Sequence, residues 1–346
     1  MPDPVLTRAI DAVASGRDLS ADQAAEVLAI IMAGAASEAQ IAGLLIALRT
    51  KGETVAELAG LARTMRSLAT PVRTLRDDLV DTAGTGGGRA TFNVSTTAAL
   101  IAAGAGCAVA KHGNRSATGR CGSADVLEAL GVRIDLTPDC VGRCVDELGF
   151  GFMFAPAHHQ AMRFVVPVRK ELAVRTIFNF LGPLTNPAGA RHQLIGVSDP
   201  GYVQTMAGAL ALLGVRRALV VASEDALDEM SISAPTTVVQ VDGTNLRTYS
   251  VRPEDVGLVT SSDRDATVGG SPRDNAATTR AILGGERGAR RDIAVLNAGA
   301  AIYAAGRADD LAAGVSAAQA AIDDGAATRT LDALVVRSQE LAVAAA

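Results

Sequence analysis

The run Leu79-Val80-Asp81-Thr82 leads into Ala83-Gly84-Thr85-Gly86-Gly87-Gly88-Arg89-Ala90-Thr91-Phe92, and the chain restarts as Asn93-Val94-Ser95-Thr96-Thr97-Ala98-Ala99-Leu100. An apolar segment, a glycine turn and a helix start, in that order, predict a strand over 79–82 and a helix capped by Ser95. Glycines let backbone N–H groups approach an anion, and a helix N-terminus adds unpaired donors and partial positive charge. The loop between them therefore reads as a pyrophosphate cradle. It is not a Walker loop, because no Gly-Lys-Ser/Thr follows, and Arg89 breaks the spacing of a dinucleotide-binding fingerprint.

The same grammar continues on the C-terminal side. Apolar runs at 107–110, 152–155, 194–197, 218–222 and 237–241 predict further strands, and helices capped by Ser123 and by Thr137-Pro138 fall between several of them. Strands alternating with helices predict the α/β class, with a mostly parallel central sheet flanked by helices. Residues 275–346 return to Ala-rich helix. On the N-terminal side, Ser20 with Gln23, Ser37 with Gln40 and Thr54 with Glu57 read as three capping boxes, opening amphipathic runs at 21–33, 38–50 and 55–68. Helices that each bury a single face need a partner surface. We therefore expect a small helical domain at 1–72, joined by helices from about 160–185, and an α/β domain at 73–346. The surplus apolar surface of the helices points to a homodimer formed through them.

Composition narrows the partners. Of 346 residues, 49% are hydrophobic and 20% charged, which excludes long-range disorder. A net charge of −5 gives no global field for nucleic acid or an anionic membrane, so we expect neither as a partner, and an anion site must be built locally. The four cysteines (Cys107, Cys121, Cys140, Cys144) include no CxxC pair and are too few for a disulfide scaffold. The start Met1-Pro2-Asp3-Pro4 lacks the regions of a signal peptide, and the most apolar stretch, 98–110, is too short to span a bilayer. A soluble protein of the reducing cytoplasm is expected.

Two more loops carry chemistry. Lys111-His112-Gly113-Asn114-Arg115-Ser116-Ala117-Thr118-Gly119-Arg120-Cys121-Gly122-Ser123 follows the predicted 107–110 strand and gathers cations, hydroxyls and glycines directly behind apolar residues, as an anion-binding loop does. Asp228-Glu229, shortly after the 218–222 strand, offers adjacent carboxylates of the kind that hold Mg²⁺ together with substrate phosphates. All three loops belong at the carboxyl ends of the strands, where open α/β sheets bind ligands.

These runs, with Arg175-Thr176-Ile177-Phe178-Asn179-Phe180-Leu181-Gly182-Pro183-Leu184-Thr185-Asn186-Pro187 and the tail Leu296-Asn297-Ala298-Gly299-Ala300-Ala301, closely resemble the anthranilate phosphoribosyltransferase family over nearly the whole chain. The resemblance implies the nucleoside-phosphorylase-like fold, Mg²⁺ as cofactor and transfer of a phosphoribosyl group from 5-phosphoribosyl 1-diphosphate to anthranilate. It implies that the diphosphate substrate meets Gly84, Gly86, Gly87, Thr91, Asn93, Val94, Ser95, Thr96, the stretch Lys111, His112, Gly113, Asn114, Arg115, Ser116, Ala117, Thr118, Gly119, and Ser123. Anthranilate is implied at Gly84, Asn114 and Arg169, with His112, His159, Gly182 and Pro183 lining its approach, and the metal at Ser95, Asp228 and Glu229. Lys111, Asn114 and Arg169 are the residues expected to carry catalysis, chiefly by positioning and electrostatics.

The chain departs from the family pattern twice. The family's Gly-Thr-Gly-Gly-Asp-Gly is shortened by one residue and lacks the Asp, Gly87 being followed by Gly88-Arg89-Ala90; and Ala222-Ser223 replaces a His-Gly upstream of the acidic pair. A pyrimidine phosphorylase on the same fold is disfavoured because no base-reading set is visible around 111–123. A nucleic-acid-binding relative is disfavoured by the charge.

Overall fold

The computed structural model describes residues 2–116 and 119–344; Ala117 and Thr118, both implied in diphosphate binding, lie outside the described residues. Four helices open the chain, α1 (Pro4–Ala14), α2 (Ala21–Met32), α3 (Glu38–Lys51) and α4 (Val55–Leu68). The Ser20/Gln23 and Thr54/Glu57 boxes close reciprocally. The third closes by half. Ser37 Oγ accepts from Gln40 N at 3.3 Å, but the Gln40 amide turns to the Asp3 backbone, donating to its carbonyl at 2.9 Å and accepting from its N–H at 3.1 Å. That bond staples α3 to α1, a helix absent from the sequence expectation although Asp3 caps it and Pro4 occupies its first turn.

The remaining elements in order are β1 (Leu79–Gly84), α5 (Val94–Gly104), β2 (Ala108–Gly113), α6 (Ser123–Ala129), α7 (Pro138–Leu148), β3 (Phe150–Phe154), α8 (Ala155–His158), α9 (Val166–Leu172), α10 (Phe178–Leu184), β4 (His192–Gly196), α11 (Val203–Leu212), β5 (Arg217–Ser223), β6 (Thr236–Asp242), β7 (Asn245–Val251), α12 (Pro272–Leu283), α13 (Ala289–Ala304), α14 (Leu311–Asp323) and α15 (Ala326–Ala344). They build one seven-stranded sheet in the order β3-β2-β1-β4-β5-β6-β7, parallel from β3 to β5, with β6 and β7 antiparallel. The sequence pattern does not predict β7, because its residues are mostly exposed and polar. An edge strand needs no apolar run.

Other boundaries shift for physical reasons. Lys111 and His112 belong to strand β2 rather than to the loop after it: both side chains are buried, Lys111 bonded to Thr82 of β1 and the His112 ring to the Gly182 carbonyl of α10. Ser95 is not a cap but the second residue of α5, whose N-cap is Asn93 in the left-handed region, a conformation Asn tolerates. Ser123 is the first residue of α6, capped by Gly122.

Two large cores flank the sheet among the described residues, and a smaller one gathers Val72, Leu79, Ala108, Ala110, Val141, Val145, Met153 and Ala190. α5, almost wholly buried, packs with α13, α14 and α15 on one side. On the other, α1–α4 share a core with Val165, Val168, Ile177, Phe178, Phe180, Leu181 and Leu184 of the α9–α10 region and with α11. The chain leaves β1 towards β2 and β3, then returns to lay β4 on the opposite side of β1. This reversal opens a crevice at the carboxyl ends of β1 and β4, where Gly84 pairs with Gly196.

Candidate active site

The crevice is filled from above by the acidic pair. Gly86 N–H donates to Asp228 Oδ2 at 2.8 Å. A Cβ at Gly84 would lie 2.4 Å from the same oxygen, and one at Gly196 would lie 1.6 Å from the Asp228 carbonyl oxygen, so both strand ends must be glycine for Asp228 to sit there. Glu229 is buried, and the Ser95 backbone N–H at the start of α5 favours its charged form. Burial raises its pKa well above the usual carboxylate range, and the neighbouring Asp228 charge adds to this. Asp228 is likewise raised by burial, opposed by the Gly86 N–H and by the charge of Arg175.

Adjacent carboxylates with raised pKa values, one half-buried and one buried, call for a cation, and with the Ser95 hydroxyl they offer only oxygen donors, the set a hard divalent ion prefers. No cluster of three or more His, Cys, Asp or Glu suited to a metal occurs among the described residues. A metal held here would therefore draw further ligands from substrate oxygens and water.

Lys111 is fully buried on β2. Its Nζ donates to the Thr82 carbonyl at 2.5 Å and to Thr82 Oγ1 at 3.3 Å, in the field of Asp81 and Glu229. Asp81 is itself buried, accepting from His112 N at 3.1 Å and from Asn186 Nδ2 at 2.7 Å. The floor of the crevice is thus a buried network of one ammonium among carboxylates.

Beyond it stand two imidazoles. His112 and His159 lie 5.1 Å apart, and burial lowers their pKa values to about 3 and about 4, so both are neutral near pH 7. The Gly182 carbonyl can only accept, so His112 Nδ1, 3.3 Å away, carries the proton and Nε2 is a bare acceptor. Arg169 is half-buried, its guanidinium 5.7 Å from the ring centre of Phe178, which stands one turn before Gly182-Pro183 on α10. No carboxylate among the described residues pairs with it. Its charge is available to a ligand.

The loop after β2 is held by α6. Asp125 Oδ2 accepts from Ser116 N at 3.1 Å and Gly122 N at 2.8 Å, and Ser123 Oγ accepts from Asn114 N at 3.2 Å. Arg115 turns away to Asp125 and Glu128, both at 2.8 Å, leaving its backbone for the loop's interior. Gly119 N donates to Ser116 Oγ at 2.7 Å, and Gly113 can carry no Cβ, which would meet Ser123 Oγ at 2.2 Å. Asn93 Nδ2 donates to the Cys121 carbonyl at 3.0 Å, tying this loop to the start of α5, and Val94 and Thr96 are buried in that first turn. Thr91 is half-buried just before the fully buried Phe92.

Arg175 has no role in the sequence reading, yet it reaches the glycine loop. Its Nη1 donates to the Gly86 carbonyl at 2.7 Å, where Ser198 Oγ also donates at 2.8 Å, and it lies 1.8 Å from where a Cβ of Gly87 would stand. Nothing in the spacing of 175 from 86 betrays this. The clue is the unpaired arginine just ahead of an apolar helix. Seven buried side-chain atoms have no partner among the described residues, Thr96 Oγ1, His112 Nε2, His159 Nε2, Arg175 Nη2, Thr176 Oγ1, Gln193 Oε1 and Asp225 Oδ1, and the first four belong to residues around the crevice. Folded proteins rarely leave such atoms unpaired, and their grouping here marks where a ligand's polar atoms belong.

Known proteins share both the sequence and the geometry. Residues 76–328 match the profile of the glycosyl transferase family a/b domain, and residues 7–69 that of its helical bundle domain. Anthranilate phosphoribosyltransferase of Moorella thermoacetica is 53% identical over 96% of this chain and 98% of its own length; that of Symbiobacterium thermophilum is 54% identical over 92% and 94%. Among solved structures, the Thermus thermophilus enzyme superposes with a TM-score of 0.91 at 46% identity, covering 96% of this chain and 99% of that one. The Saccharomyces cerevisiae enzyme, in complex with PRPP and Mg, superposes with a TM-score of 0.88 at 25% identity, covering 97% and 98%. Fold, crevice and relatives lead to one conclusion: the chain belongs to the anthranilate phosphoribosyltransferase family, glycosyltransferases of tryptophan biosynthesis.

Proposed function

We propose a division of labour in the β1–β4 crevice for the family reaction, in which the 5-phosphoribosyl group moves from 5-phosphoribosyl 1-diphosphate to the amine of anthranilate. The bond from C1′ to the diphosphate oxygen breaks with its electron pair leaving on pyrophosphate, the amine nitrogen forms the new bond to C1′, and one amine proton is released. An aromatic amine is a weak nucleophile, so stabilising the leaving group matters most. The Gly87 backbone N–H and the start of α5 bind diphosphate oxygens, together with Thr91, Asn93 and the loop from Gly113 to Ser123, while Gly84 and Gly86 shape the loop around them and the Gly86 N–H stays on Asp228. Ser95, Asp228 and Glu229 would hold Mg²⁺, which when bound supplies positive charge to the departing diphosphate. Lys111 balances the buried Asp81 and Glu229 from beneath, keeping the floor from repelling the phosphates.

Arg169 binds the anthranilate carboxylate, a charge-assisted pairing that its free guanidinium favours. The bare His112 Nε2 accepts from the amine, and Asn114 orients it from the opposite loop. His159, Gly182 and Pro183 wall the aromatic ring. Residues 1–72 with about 160–185 form the helical domain beside an α/β domain at 73–346, and two copies pair through the helices. No helix among the described residues is long and apolar enough to cross a membrane, and all four cysteines are free, which supports cytoplasmic work.

The observation that carries this reading is the seating of Asp228 on the Gly86 N–H, with the buried Glu229 next to it. The test is the loss of anthranilate fluorescence when 5-phosphoribosyl 1-diphosphate and Mg²⁺ are added. Asp228→Ala should lose nearly all activity, and wild-type turnover by that variant would overturn the site.

A further inference from the structure

The glycine loop meets the acidic turn through Arg89. Arg89 N–H donates to the Ala226 carbonyl at 2.9 Å. Its Nη1 donates to Asp225 Oδ2 at 2.8 Å and to the Asp225 carbonyl at 3.4 Å, and its Nη2 donates to the Arg264 carbonyl. The Asp225 side chain is 1% exposed, with Arg89 as its ion-pair partner among the described residues and a further bond from Ser231 Oγ at 3.1 Å. Ala226 stands at φ 64°, a left-handed conformation that an alanine keeps only when its surroundings impose it. Two residues later comes Asp228, whose Oδ2 accepts from Gly86.

Between the two pins at Gly86 and Arg89 the loop lies flat on the acidic turn. A Cβ at Gly88 would stand 2.7 Å from the Ala226 carbonyl oxygen and 3.3 Å from Asp228 Oδ1. The shortened loop has no room for the family's carboxylate, and a guanidinium stands beside it, turned towards the acidic turn. We propose that Arg89, paired with Asp225, is a positioning residue: it clamps the Asp225–Asp228 turn against the glycine loop and so fixes where Asp228 and Glu229 present their oxygens to a divalent cation and diphosphate. Arg89 touches neither ligand itself. The pair does from the protein side what an additional acidic ligand in the loop would otherwise do from the metal side.

This inference rests on the assignment of Asp228 and Glu229 under the proposed function. The experiment compares the full-length wild type with Arg89→Ala, Arg89→Lys, the charge-neutral pair Arg89→Met with Asp225→Asn, and Asp228→Ala. Mn²⁺ binding in the presence of 5-phosphoribosyl 1-diphosphate is followed by electron paramagnetic resonance, beside steady-state kinetics and thermal unfolding. Residues that orient metal ligands typically change affinity by about 10–100-fold, so Arg89→Ala should weaken Mn²⁺ about tenfold and raise KM for the diphosphate substrate in parallel. KM for anthranilate should stay within about twofold, because Arg169 and His112 stand on other elements. Arg89→Lys should recover part of the loss. The neutral pair leaves no unpaired buried charge, so it should fold even if Arg89→Ala does not, and it should still bind Mn²⁺ weakly. Wild-type Mn²⁺ affinity in the neutral pair, or equal changes in both KM values, would overturn the clamp. An Asp228→Ala variant that retains Mn²⁺ binding and activity would instead overturn the site assignment.

Discussion

Arg169 and His112 make the sharpest separable contributions, because one offers an unpaired charge and the other an unpaired lone pair. In the proposed site the Arg169 guanidinium contacts one substrate only, so Arg169→Ala should raise KM for anthranilate by one to two orders of magnitude, about 1.4–2.7 kcal/mol, with KM for the diphosphate substrate nearly unchanged. Initial rates with each substrate varied in turn check this, and equal effects on both would remove Arg169 from the anthranilate site. The imidazoles bear on stability. Their pKa values fall to about 3 and about 4 in the fold, from an ordinary value near 6.5, so between these limits the unfolded chain binds more protons and stability rises with pH. The contribution is complete above pH 6.5 and is lost as pH falls, by up to about 2 kcal/mol at pH 5 for His112. Asp228 and Glu229, with raised pKa values, act with the opposite sign. The difference between wild type and His112→Gln isolates the imidazole: the variant's melting temperature should fall less between pH 7 and pH 5, and parallel curves would show that His112 is not buried neutral.

At the scale of elements, the βα grammar and the glycine loop were legible because they are local: apolar runs, turn residues and helix starts follow one another along the chain. The boundary of β2 was not, since Lys111 and His112 look like loop residues until Asp81, Thr82 and Gly182 supply their partners from elsewhere in the fold. Arg175 and Arg89 escaped for the same reason, their partners lying 89 and 136 residues away. β7 carries little apolar signal, because Leu246, Tyr249 and Val251 are separated by polar residues, and α1 was hidden behind a proline-rich start. The glycine loop also makes a prediction of its own. Without the family's Asp it offers no extra acidic site, so activity should rise to a plateau with Mg²⁺ and show little inhibition at excess. Gly88→Asp does not restore the family loop, because its Cβ meets the Ala226 carbonyl and its charge faces Asp228. That variant should unfold at lower temperature and lose activity, whereas inserting an Asp between Gly87 and Gly88 restores the loop length and should introduce inhibition by excess metal. Strong inhibition of the wild type in a Mg²⁺ titration would contradict this account.

For the whole molecule, the helical bundle is the part whose surface remains unfinished. An open groove of about 670 Å³ runs between α1 and α3, lined by Ile10, Val13, Ala42, Gly43, Ile46 and Ala47. Small residues there allow close helix approach, and burying an apolar face of this kind is what stabilises an isologous dimer. On the proposed pairing through the helices, Ile46→Glu puts a charge into the interface and should convert a dimer into a monomer by light scattering at micromolar concentration. The same helix reaches the active site. Three residues after Ile46, Arg49 Nη1 donates to the Arg175 carbonyl at 2.9 Å, and the Arg175 guanidinium holds the Gly86 carbonyl at 2.7 Å. Helix α3 thus connects the proposed dimer face to the glycine loop through two hydrogen bonds. If dimerisation stiffens α3, the monomeric variant should show a KM for the diphosphate substrate raised by about two- to fivefold, while KM for anthranilate stays constant. Arg49→Ala should give the same kinetic change in a protein that is still dimeric. A monomer with wild-type KM for both substrates would mean that the face serves assembly alone and that the path from α3 to Gly86 carries no coupling.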